Sequence, residues 1–222
     1  MADLLDILDK EKKSEAKTIK IKRQFEDYSD VYNKVVFEKQ AFSNANSKIL
    51  FNFQDSLNNL RQRGYARHPR PNEVFSLLCA YLEGESSIKC VAKDMLYGSG
   101  EWLSLAMKYQ NGILHCYSDP SLKYDRKRNL YNLKSYSSET VFAISSLDEK
   151  NYLTIKELHV KNPEFVEFIW SRSFNDLPLQ IRENGGFFVR RDENVWPAGR
   201  GDCNYWYDVS CVFNYWASHG VR

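Results

Sequence analysis

A chain of 222 residues with 43% hydrophobic and 27% charged side chains carries enough apolar material for a buried core. Its net charge of +2 lacks the basic excess of a dedicated nucleic-acid binder, and no run of about 18 apolar residues offers a membrane span. The five cysteines (Cys79, Cys90, Cys116, Cys203, Cys211) are odd in number and form no CxxC pair, and the four histidines are scattered, so neither a disulfide framework nor a metal site is indicated.

The first residues, "MADLLDILDKEKK", place acids before apolar residues and lack a cleavage-type tail. Synthesis in a reducing cytoplasm without a secretory leader is therefore expected. Leu4, Leu5, Ile7 and Leu8 fit one side of a short helix, which reads either as a frayed end or as a docking peptide over residues 1–12 for a carrier protein. A lysine-rich stretch fills residues 10–23. From 24 to 62, apolar residues recur at three- and four-residue steps (Phe25, Tyr28, Tyr32, Val35, Val36, then Phe53, Leu57, Leu60), which predicts one long helix or a helical pair.

"RGYARHPRPNE" punctuates the chain with Gly64, Pro69 and Pro71, and Pro71 suits the first turn of a new helix. Arg61, Arg63, Arg67 and Arg70 around His68 read as a solvated linker or as a small basic patch. Residues 72–84 and 86–100 are expected to be helical, ending at Gly84 and at Gly98 or Gly100.

After Gly100 the period shortens. Residues 101–109, 112–119, 130–136 and 140–147 read as strands, with "QNG" at 110–112 as a hairpin turn. Residues 162–172 read as a helix with Pro163 near its start, 173–186 as irregular, and 187–201 as strand and loop. Trp102 and Trp170 read as core. The lone His115 and His159 read as ordinary strand or loop residues, and "YGSG" and "ENGG" are too short for a phosphate loop. The fold class expected is α+β, with a helical N-terminal segment over 1–65 and a domain of short antiparallel strands over 66–222.

The C-terminal stretch is compositionally biased. Thirteen of the eighteen residues from Asp202 to His219 are Asp, Cys, Asn, Tyr, Ser, Phe or His: Asp202, Cys203, Asn204, Tyr205, Tyr207, Asp208, Ser210, Cys211, Phe213, Asn214, Tyr215, Ser218 and His219. Lys, Glu, Gln and Met make up 42 of the 222 residues, yet the last 29 contain none where about five would be expected. The enriched residues all have codons ending in a pyrimidine; the missing four have none. An Asn codon scrambled at its two adenines yields the first set and never the second.

This tail, with "GRGD…W" at its start and "ASHGVR" at its end, resembles the variable region of proteins diversified by retroelements, closest to those of archaeal or viral elements. The resemblance covers residues 196–222, and departs at His219, where an arginine is more usual. It implies a C-type lectin fold of the formylglycine-generating-enzyme type for 66–222, no cofactor, and a binding protein that acts at a cell surface or on a virion. It further implies that Trp196, Pro197, Gly199, Arg200, Gly201, Trp206, Trp216, Ala217, Gly220, Val221 and Arg222 are scaffold, and that the thirteen residues named above include the ligand-contacting set. Val209 and Val212 are expected to point inward. The mixture of Tyr with Asn, Ser and Asp is also that of antibody paratopes, which combine rigid contact area with adaptable hydrogen bonds.

Two other readings remain open. A carbohydrate-binding module would use Trp206, Tyr207, Tyr215 and Trp216 as a stacking platform. An enzyme related to the formylglycine oxidase would draw on Cys203, Cys211, His219 and Asp208, the only clustered reactive groups. The sugar-binding lectin motifs EPN, QPD and WND are absent, so calcium is not implied.

Overall fold

The computed structural model describes residues 18–22, 34–38, 52–62, 64–86, 88–89, 92–93, 101–200 and 209–211. Strands β1 (Thr18–Lys22) and β2 (Lys34–Glu38) pair antiparallel. Helix α1 spans Phe53–Gln62 and α2 spans Pro71–Leu82. Then follow β3 (Glu101–Gln110), β4 (Ile113–Ser118), β5 (Ser121–Asp125), β6 (Leu130–Ser135), β7 (Ser138–Ala143) and β8 (Tyr152–Thr154). Helices α3 (Ile155–Lys161), α4 (Pro163–Trp170) and α5 (Leu179–Asn184) lead to β9 (Gly186–Val189), β10 (Trp196–Arg200) and β11 (Val209–Cys211). Mixed helix and strand, with mostly antiparallel pairing, makes this an α+β structure.

The helical rhythm over 24–62 holds for α1 and fails at 34–38, which is a strand. In α1 the buried residues Phe53, Ser56, Leu57 and Leu60 follow the 3.6-residue period. Asn52 caps the helix, its side-chain oxygen accepting from the Asp55 N–H at 2.9 Å. Around β2 the run Val35-Val36-Phe37 is β-branched and aromatic, and pairing decides in favour of the strand. In β1, "TIKIK" alternates polar or charged residues with isoleucine, a period-two signal hidden inside what composition alone presents as a lysine-rich stretch.

A seven-stranded sheet runs in the order β7-β4-β3-β10-β11-β9-β8, with β11 and β9 parallel and every other neighbouring pair antiparallel. The β3–β4 hairpin turns on Asn111 and Gly112 at φ 50° and 77°. Two successive positive φ values define the tight turn whose twist suits a hairpin, as the Asn-Gly pair predicts. Strand β3 is buried at seven consecutive residues, Glu101–Met107, so both of its faces are covered. Strands β5 and β6 form a separate hairpin, bridged to the sheet through Tyr131 and Val195.

Helix α4 seats Phe165 edge-on against Phe142 of β7 and Phe187 of β9. Trp170 at its end meets Phe75 of α2, and Arg172 clamps Glu83 just beyond α2. Trp102 and Trp170 are fully buried, as expected of core residues. Phe53 of α1 packs edge-on to Trp102 at 5.6 Å, and its N–H donates to the Tyr131 hydroxyl. Phe53 and Leu57, on the N-terminal side of a boundary at residue 65, thus share one core with the strands that follow it.

Within the segment expected to be irregular, Phe174–Asp176 is a 3-10 turn and 179–184 a helix. The two glycines after it permit close packing. A β-carbon on Gly185 would lie 2.6 Å from the Ile181 carbonyl, and one on Gly186 would overlap the Tyr152 ring.

Candidate functional site

The biased tail begins in the middle of the sheet. All five residues of β10 are buried, between β3 on one side and β11 on the other. Trp196 is held from several directions: its indole N–H donates to Asp192 Oδ1 at 2.9 Å, the Arg190 guanidinium lies 4.0 Å above its ring, and Tyr131 approaches edge-on. A packed indole with its polar atom satisfied is a fixed point from which a strand can be positioned.

At the other end of β10, Arg200 stands opposite Glu101 of β3 and opposite Val209 of β11. Arg200 and Glu101 are both 0% exposed. Register partners project to the same face of a sheet, so the two side chains share one interior face. Val209 is also fully buried, as the sequence anticipates, and pairs with Phe187 on its far side.

Of the thirteen candidate contact residues, Ser210 and Cys211 fall in β11, an interior strand whose backbone pairs on both sides. The other eleven (Asp202, Cys203, Asn204, Tyr205, Tyr207, Asp208, Phe213, Asn214, Tyr215, Ser218 and His219) lie outside the described residues, as do the scaffold candidates Gly201, Trp206, Trp216, Ala217, Gly220, Val221 and Arg222. Arg200 and Val209 are neighbours in register, and Cys211 pairs with Val189. Beside Val189, residues Asn151, Phe188, Arg190, Arg191 and Asp192 line an open depression of about 490 Å³.

The arginine cluster is neither a solvated linker nor a free basic patch at its two described inner members. Arg67 makes a two-armed contact with Glu73 at 2.7 and 2.6 Å. Arg70 grips Asp119 through Nε at 3.0 Å and through a second arm to the other carboxylate oxygen. Burial alone would lower the Arg70 pKa, but the hydrogen bond and charge of Asp119 outweigh it and raise it. Asp119 responds in the opposite sense. Burial would raise its pKa, yet Arg70 and the Ser104 hydroxyl hold it below the usual carboxylate range. The Glu73 side of this arrangement is legible in sequence as an acid three residues after a helix start, and its carboxylate accepts from the Arg70 N–H at 2.7 Å. Asp119 is 49 residues away and gives no local signal.

The remaining titratable candidates do not assemble. His68 is fully buried, with Nε2 3.3 Å from the Phe53 carbonyl, and burial pushes its pKa down to about 3. His115 meets Glu139 across β4 and β7 at 2.7 Å, and His159 stacks on Phe174. Cys79 and Cys116 are buried free thiols whose pKa burial pushes up, to about 12 for Cys79. Among the described residues no group of three or more His, Cys, Asp or Glu could hold a metal ion, and no helix is long and apolar enough to cross a membrane. No protein-family model matches this chain, and neither a curated protein nor a solved structure matches it.

Proposed function

We propose that this chain is a non-enzymatic binding protein of the retroelement-diversified kind, whose C-terminal aromatic and polar residues meet varied targets, chiefly proteins. A C-type lectin-like architecture for 66–222, a variable region over 196–222 and attachment to a carrier through residues 1–12 belong to the same proposal. One observation carries it: the last 29 residues contain no Lys, Glu, Gln or Met, the residues that adenine scrambling of Asn codons cannot produce. The burial of Trp196, Pro197, Gly199, Arg200 and Val209 supports it, because a surface that changes from copy to copy needs a framework that does not. In this reading Cys203, Cys211, His219 and Asp208 have no catalytic role, since a position that varies cannot carry a fixed reaction.

The test is to sequence the DNA flanking the gene. A near-copy of the codons for 196–222, differing only at adenines and lying beside a reverse-transcriptase gene, is the expected result, and it would identify the varying positions directly. Absence of such a copy would remove the diversification and return the sugar-platform and enzyme readings to consideration.

A further inference from the structure

A second site lies where the start of α2, the middle of β3, the end of β4, the β6–β7 connection and the end of α4 border a pocket of about 300 Å³. That volume is at the small end of ligand sites. Its floor is the Arg70–Asp119 pair. Each oxygen of the Asp119 carboxylate takes one bond from Arg70, and each takes a second from a serine hydroxyl, Ser104 at 3.0 Å and Ser137 at 3.2 Å. The floor is therefore rigid and its charges are already matched. Ser104 commits its proton there, Ser137 shares its single proton between Asp119 and the Ser118 carbonyl at 3.0 Å, and both oxygens retain acceptor lone pairs.

Ser171, at the C-terminal end of α4, borders the same pocket. It is only 6% exposed, and its hydroxyl oxygen is buried with no hydrogen-bond partner. A hydroxyl buried in that way costs stability that a ligand's hydroxyl would recover. One helical turn earlier, the exposed Glu167 carboxylate stands at the rim, able to accept from two neighbouring hydroxyls. Phe168, Leu105 and Pro71 supply an apolar wall.

We propose that this pocket binds one neutral, hydroxyl-rich molecule of monosaccharide size. With the Arg70 and Asp119 charges matched to each other, the floor offers no free charge to an ionic ligand. Groups that both donate and accept suit a set of serine oxygens, a rim carboxylate and one unpaired hydroxyl. The apolar wall suits the C–H face of a sugar ring.

The experiment uses the full chain and ligand-observed saturation-transfer NMR. Glucose, galactose, mannose, N-acetylglucosamine and inositol are the neutral probes, with glucose 6-phosphate and glucosamine as charged controls, and calorimetry follows on any hit. At least one neutral probe should bind, better than either charged control. Ser171→Ala should leave the melting temperature unchanged or raised, because an unpaired hydroxyl is removed, and should weaken binding about five- to tenfold. Glu167→Gln, an exposed change that the fold tolerates, should weaken it as well. The proposal is overturned if no neutral probe shows transfer, if a charged control binds more tightly, or if both variants bind as the unaltered chain does. That last result would place any sugar binding elsewhere, for example on the aromatic tail.

Discussion

His68 shows how one buried side chain sets a pH limit. Its imidazole is neutral in the fold, packed 4.6 Å from the Phe53 ring, and its folded pKa near 3 lies far below the ordinary value of 6.5. The unfolded chain therefore binds a proton that the folded chain refuses, and stability is complete above about pH 6.5 and lost as pH falls toward 3. The slope for one group approaches about 1.4 kcal/mol per pH unit. The carboxylates with depressed values, Asp119 and Glu157, begin to contribute only below their own ordinary values of 3.8 and 4.5. Urea unfolding at pH 6.5 and 5 isolates the histidine, and His68→Gln should flatten the difference between those two pH values. An unchanged difference would mean that another group titrates there. Asp119 gives a second prediction at this scale. Asp119→Asn removes the charge that Arg70 grips and leaves one oxygen for two serine donors. A loss of about 2 kcal/mol is expected from the urea midpoint, since charge-assisted bonds are worth more than neutral ones.

Elements are decided by neighbours as much as by their own residues. Strand β9 starts on Gly186 because Tyr152 of β8 lies across the position where a side chain would stand. Gly186→Ala should cost about 1–3 kcal/mol by overpacking. Tyr152→Ala in the same chain should recover part of that loss, a coupling that a double-mutant cycle in urea would read. Simple additivity of the two changes would show that the ring does not set the glycine requirement.

At the scale of the whole molecule, the tail is divided by a strand that the sheet encloses. Tail and framework should then differ in tolerance. Replacing Asn204, Tyr205 and Asn214 together by other members of the biased set should shift the thermal midpoint little, as surface changes usually move stability within about 0.5 kcal/mol each. A change at Trp196, fully buried and contacted on several sides, should cost about 3–5 kcal/mol. If the tail replacements proved as costly as the framework change, the tail would be core and not a binding face.

Local physics alone settled several features of this protein. The Asn111–Gly112 turn needs two positive φ values, and that requirement is written in the residues themselves. The stop at Gly84, the start at Pro71 and the apolar period of α1 are equally local, as is the bias of the last 29 residues. Other features depended on contacts between distant residues. Val35 and Val36 fit a helical rhythm, and only pairing with β1 makes them strand. Arg70 looks solvated until the fold brings Asp119 to it from 49 residues away. The register that sets Arg200 opposite Glu101, 99 positions earlier in the chain, is likewise a product of strand pairing. Periodicity and turn chemistry act within a few residues, whereas charge pairing and strand register act between segments, and it is the second kind that built the pocket beside α4 and the buried strand β10.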